Sequence, residues 1–96
     1  YNKAIKLEPD YADAYYSRGR FYLIRGNAKG NSEDYYRAIA DLTKAIELNP
    51  NDTDAYIVRG NSKGNLKNLR GACADWKKAT SLGDSDAVKY VKEYCN

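Results

Sequence analysis

Along most of this chain the apolar residues recur three and four places apart, with polar residues between them. Ala38, Leu42, Ala45 and Ile46 form one such series, and Ala72, Trp76 and Ala79 another. That period suits a helix, where positions i, i+3 and i+4 share a face, and not the alternation of a strand. Small alanines at fixed places let neighbouring helices approach, while Leu42, Trp76 and Tyr1 fill the space between them. Pro9 and Pro50 end helical stretches, since proline lacks the N–H that continues the ladder. The pattern predicts antiparallel helix pairs, each exposing an apolar face unless another pair stacks on it.

The series is also repeated along the chain. Ala4-Ile5-Lys6-Leu7-Glu8-Pro9 recurs as Ala45-Ile46-Glu47-Leu48-Asn49-Pro50, 41 residues on. Ala14-Tyr15-Tyr16-Ser17-Arg18-Gly19 recurs as Ala55-Tyr56-Ile57-Val58-Arg59-Gly60 at the same distance. Ala38, Asp41, Leu42 and Ala45, however, match Ala72, Asp75, Trp76 and Ala79 at 34, so one unit carries seven additional residues between Gly19 and Ala38. Gly26, Asn27, Gly30 and Asn31 are turn formers. They favour placing the insertion in the turn, as Asn27 to Glu33, with Asn31 or Ser32 capping the second helix. The other reading lengthens the first helix by a heptad, because Tyr22-Leu23-Ile24-Arg25-Gly26-Asn27 mimics Tyr56-Ile57-Val58-Arg59-Gly60-Asn61.

These features resemble the tetratricopeptide repeat, a helix-turn-helix unit of 34 residues. The matching positions are Tyr15 and Tyr56, Gly19 and Gly60, Ala38 and Ala72, Leu42 and Trp76, Ala4, Ala45 and Ala79, and Pro9 and Pro50. Arg18 and Arg59 stand where the family usually has Leu, as in its bacterial Tyr-x-x-Arg-Gly variant. In the last unit Asp84 replaces the proline, and Trp76-Lys77-Lys78-Ala79 with Gly83 and Ala87 is also similar to Sel-one-like repeats. The resemblance implies an all-α, right-handed superhelical solenoid in one domain. Residues 1–9 end a truncated repeat, 10–50 form the long repeat, 51–84 a second full repeat, and 85–96 a capping helix running from Ser85 to Cys95.

The resemblance further implies a non-catalytic scaffold that binds a peptide or partner segment in a concave groove lined by the first helices. Its lining positions are Asp13, Tyr16, Arg20 and Leu23, then Asp54, Ile57, Asn61 and in addition Asn65. Tyr16 and Arg20 are residue types enriched at interface hot spots. Asn61 matches one position of the family's chaperone-tail clamp, but Ile57 and Val58 break the rest, so chaperone C-termini are not expected. The alternative role is the structural end of a longer solenoid, associating with a second copy through the face at Tyr1.

Antiparallel helices bring Arg18 opposite Asp41 and Arg59 opposite Asp75, which predicts a repeated structural ion pair of guanidinium on carboxylate. Tyr15, Tyr22, Tyr36, Tyr56 and Tyr90 are expected to pack between helices with their hydroxyls at the edge. Cys73 lies on the last repeat's second helix and Cys95 at the end of the cap. If near each other they form a disulfide stapling the solenoid end. If not, they are two small buried hydrophobes in a reducing compartment. The compartment is left open between cytoplasm and periplasm.

Composition narrows the chemistry. Among 96 residues there is no histidine, so neither a Ser-His-Asp triad nor a Cys-His pair can form. Two cysteines without histidine do not fill a structural zinc site, and no metal or other cofactor is expected. Sixteen Lys and Arg against thirteen Asp and Glu give a net charge of +3 with the signs interspersed, which argues against nucleic acid as partner. No run of roughly 20 apolar residues suggests membrane insertion. A protein or peptide partner is the expectation that remains.

Overall fold

The computed structural model describes residues 10–95. They form five α-helices: α1 Asp10–Lys29, α2 Ser32–Leu48, α3 Thr53–Asn65, α4 Leu69–Ser81 and α5 Ser85–Tyr94. There is no strand among the described residues. The chain is all-α, a helical solenoid in which α1 pairs with α2, α3 with α4, and α5 closes the end against α4. The proposed start at Tyr1 and the proline at Pro9 lie outside the described residues. The slab measures 43 × 32 × 16 Å, so it is two helices thick.

Each helix from α2 onward begins on a side chain suited to the task. Asn31 and Asn68 cap α2 and α4 within the hairpins, and Asp52 and Asp84 cap α3 and α5 between them. Each side-chain oxygen accepts from a backbone N–H of the first turn that has no partner inside the helix. Three helix ends are equally uniform. Gly30, Lys67 and Gly83 take positive φ, and the N–H of the following residue returns to a carbonyl one turn back: Asn31 to Gly26, Asn68 to Lys63, Asp84 to Ala79. This is the left-handed closure at helix C-termini that glycine adopts without strain.

The seven additional residues do not make a loop. Asn27 and Lys29 lie inside α1, Gly30 alone forms the turn, Asn31 is the cap, and Ser32 and Glu33 open α2. Relative to Gly19 and Gly60, α1 runs five residues further than α3; relative to Ala38 and Ala72, α2 starts three residues earlier than α4. The turn is one residue shorter, which accounts for the seven. Of the two glycines, Gly30 turns the chain, but Gly26 is needed for close packing rather than turning. A Cβ at Gly26 would stand 2.9 Å from Tyr35 Cε1, too close for any side chain.

The same crossing occurs three times and explains the Tyr-x-x-Arg-Gly motif. Gly19 meets Leu42, Gly26 meets Tyr35, and Gly60 meets Trp76, each leaving no room for a methyl group. The arginine just before each glycine lies over the tyrosine one turn earlier, Arg18 on Tyr15, Arg25 on Tyr22 and Arg59 on Tyr56. Alanines 38, 45, 55, 72, 79 and 87 are fully buried around these crossings. Tyr15, Tyr22 and Tyr90 are half-buried and Tyr56 is buried, but Tyr36 is 64% exposed and does not pack between helices.

Candidate peptide cleft

The extended hairpin and the end helix together build a cleft of about 430 Å³ on the face formed by α1, α3 and α5. Leu23 and Asn27 of α1 form one wall, and Tyr90 and Tyr94 of α5 the other. Asn61, Gly64 and Asn65 of α3 lie between them, with Leu69 and Trp76 of α4 beneath. None of these side chains is charged. Trp76 stacks on Tyr90 at 5.3 Å between ring centroids and meets Tyr94 at 5.7 Å. Tyr94 and Leu69 remain half exposed, so the apolar surface is open to a ligand.

The amides are held in place. Trp76 Nε1 donates to Asn61 Oδ1 at 3.2 Å. Asn27 Oδ1 accepts from Tyr35 Oη at 2.7 Å and from Asn65 Nδ2 at 3.0 Å, tying the α1 extension to the end of α3. Among the described residues, the Asn27 and Asn61 NH2 groups and Asn65 Oδ1 have no protein partner. Donors and an acceptor therefore face an uncharged, partly aromatic hollow. That combination suits a peptide backbone carrying one apolar side chain.

The expected groove residues divide. Leu23, Asn61 and Asn65 line the cleft, although Leu23 is only 7% exposed and belongs mainly to the core. Ile57 is half-buried, packed on the cluster of Tyr56, Ala79 and Ala87, and does not line the cleft. Asp13, Arg20 and Asp54 are exposed and Tyr16 is half-buried; none of the four borders the cleft. Tyr16 holds its proton above the ordinary range, first through burial and then through Asp54, with Arg20 acting in the opposite sense. Tyr16, Arg20 and Asp54 thus form a separate, charged end of the same face.

The arginine–aspartate pairs have bidentate geometry. Arg18 Nε and Nη2 donate to Asp41 at 2.8 Å each, and Arg59 donates to Asp75 at 2.9 and 2.7 Å. Lys63 approaches Asp75 at 3.2 Å, and Arg59 also donates to Thr43. A third pair, Arg25 with the buried Asp34 at 3.0 and 2.8 Å, was hidden by reading its neighbourhood as loop. The signal was present: Arg25-Gly26 repeats Arg18-Gly19 seven residues on. Bonding to Arg25 holds the Asp34 carboxyl below its ordinary value against the opposing effect of burial, with Arg37 and Lys29 assisting. Hydrogen bonds to Asp41 and Asp34 raise the Arg18 and Arg25 guanidinium values. These pairs join helices and do not line the cleft.

Cys73 and Cys95 are disulfide-bonded, with Cα atoms 5.7 Å apart. Sequence reasoning missed Trp76 and Tyr90 as cleft residues because it assigned them to packing, gave Tyr94 no role, and missed Asn27 because it was placed in the loop. Among the described residues, no group of three or more His, Cys, Asp or Glu is placed to hold a metal ion, and no helix is long and apolar enough to cross a membrane.

Stacked antiparallel hairpins with close glycine crossings define a helical-repeat solenoid. Residues 1–40 match the family model of the tetratricopeptide repeat, and α3 and α4 continue the same helix-pair arrangement. No curated protein matches the chain. Tetratricopeptide repeats generally mediate contacts between proteins and are typically non-catalytic scaffolds.

Proposed function

We propose that the chain binds an internal segment of a partner protein in the cleft between α1 and α5, and that no bond is made or broken there. The carrying observation is the absence of charge from the lining, beside amide groups and open aromatic faces. A C-terminal carboxylate finds no cation there, and burying a charged side chain unpaired is costly. An aromatic or aliphatic anchor fits between Tyr94, Leu69 and Leu23, with its flanking amides on Asn61 and Asn65. Selection of random ten-residue displayed peptides on the chain tests this. The expected winners share one large apolar residue with uncharged neighbours and tolerate amidation of the C-terminus. Enrichment of acidic C-termini would overturn the reading.

A second reading has its own observation. On α1, Ala14, Ser17, Phe21, Ile24 and Ala28 lie on one exposed stripe, with Phe21 and Ile24 more than half exposed. The matching stripe of α3, with Ala55, Val58 and Ser62, is sheltered in the stack. Stacking with a further helix pair or a second copy would cover the α1 stripe. Sedimentation of the chain beside a Phe21→Lys/Ile24→Glu variant tests it. A concentration-dependent mass in the parent alone supports it, and identical monomers exclude the second copy.

A further inference from the structure

We propose that the Cys73–Cys95 disulfide is a redox latch that holds the last two turns of α5, and with them the Tyr90 and Tyr94 wall of the cleft, in place. The functional consequence rests on the reading of the cleft as the binding site. Ten residues are fewer than the roughly 12–15 at which an isolated helix becomes marginally stable, so α5 depends on its contacts. Those contacts are unequal along its length. The first turn is secured by the Asp84 cap, which accepts from the N–H groups of Asp86 and Ala87, and by Ala87, the one fully buried residue of the helix. Beyond that turn no residue is fully buried, the two tyrosine rings lie on Trp76 of α4, and Tyr94 is half exposed. The disulfide from Cys73 on α4 to Cys95 at the C-cap is the covalent tie at that end.

Both cysteines are half-buried, within reach of a small dithiol reductant. A thiolate of the dithiol attacks one sulfur, forms a mixed disulfide and releases the other cysteine, which takes up a proton. The second thiol of the reductant then displaces the remaining cysteine. One protein disulfide and one dithiol become two protein thiols and an oxidised reductant. With the tie gone, fraying from the C-terminus removes Tyr94 first and then Tyr90 from Trp76. The α1 and α3 parts of the cleft stay where they are.

The test uses the whole chain, oxidised and then fully reduced by a dithiol, with Trp76 as its single tryptophan reporter. Amide exchange of residues 90–95 is expected to accelerate at least about tenfold on reduction. Acrylamide quenching of Trp76 emission should rise, while exchange in α1 to α3 stays unchanged. A Cys73→Ser/Cys95→Ser variant should reproduce the reduced state and ignore the reductant. Unchanged exchange and quenching after complete reduction would overturn the latch. Loss of protection throughout the chain would also overturn it, since the disulfide would then be a general staple. Binding of N-acetyl-tyrosinamide, followed by the Asn61 and Asn65 side-chain amide signals, reads the cleft separately. Several-fold weaker binding after reduction is expected. A probe that binds neither form while residues 90–95 loosen removes the cleft reading and leaves the latch standing.

Discussion

At the scale of single residues, the three guanidinium–carboxylate pairs differ in how far water reaches them. Arg59 and Asp75 are 17% and 5% exposed at their side chains, whereas Arg18 is 59% exposed over Asp41 at 9%. An exposed charge is screened, and a sheltered one left without its partner is not. Asp75→Asn should therefore cost about 3 kcal/mol in urea unfolding, near the lower bound for breaking a buried pair. Asp41→Asn should cost about 1 kcal/mol, nearer the exposed limit. Equal losses would contradict this ordering. Asp34 contributes to the pH dependence. Its folded carboxyl titrates below its unfolded value, so its contribution is fully present above about pH 4 and is lost as pH falls through the folded value. Melting temperature followed from pH 5 to pH 2 should fall less steeply in Asp34→Asn than in the parent; parallel curves would rule this out. Two of the three pairs were legible as repeated letters on opposed helices. The third was equally repeated, but it needed Asn27 to Glu33 to belong to helices and turn rather than to a loop.

At the scale of elements, one turn geometry recurs three times with two glycines and one lysine. Lys67 adopts φ 66°, at the position where Gly30 and Gly83 stand in the other two turns. A side chain there crowds the backbone, at a cost of roughly 1 kcal/mol. Lys67→Gly should stabilise the chain by about that amount in thermal or urea unfolding, and a loss of stability would show that the lysine side chain contributes more than its backbone strain. The disulfide joins Cys73 of α4 to Cys95 at the end of α5, 22 residues on, and so bears on the end helix rather than on any turn. Helix existence was readable from the period of the alanines, and one cap, that of α2, from Asn31. Helix length was not, because glycine serves both turns and close crossings: Gly30 turns the chain, while Gly19, Gly26 and Gly60 admit Leu42, Tyr35 and Trp76.

At the scale of the whole molecule, the cleft exists because separate parts of the chain converge. The α1 extension brings Leu23 and Asn27 alongside α3, and α5 brings Tyr90 and Tyr94 over Trp76. No local pattern records that meeting, so of the groove positions expected from the sequence only Leu23, Asn61 and Asn65 line the cleft, while Tyr16, Arg20 and Asp54 gather at the other end of the face. The lack of charge in the cleft, set against a chain that is 30% charged, is what separates it from an ordinary solvated surface. The most direct measurement is NMR titration of the oxidised chain with the strongest peptide from the display selection. If the cleft is the binding site, shifts fall at Asn27, Asn61, Asn65, Trp76 and Tyr94, with Tyr16, Arg20 and Asp54 unmoved. Shifts gathered at Tyr16, Arg20 and Asp54, or along the Phe21–Ile24 stripe, would contradict it.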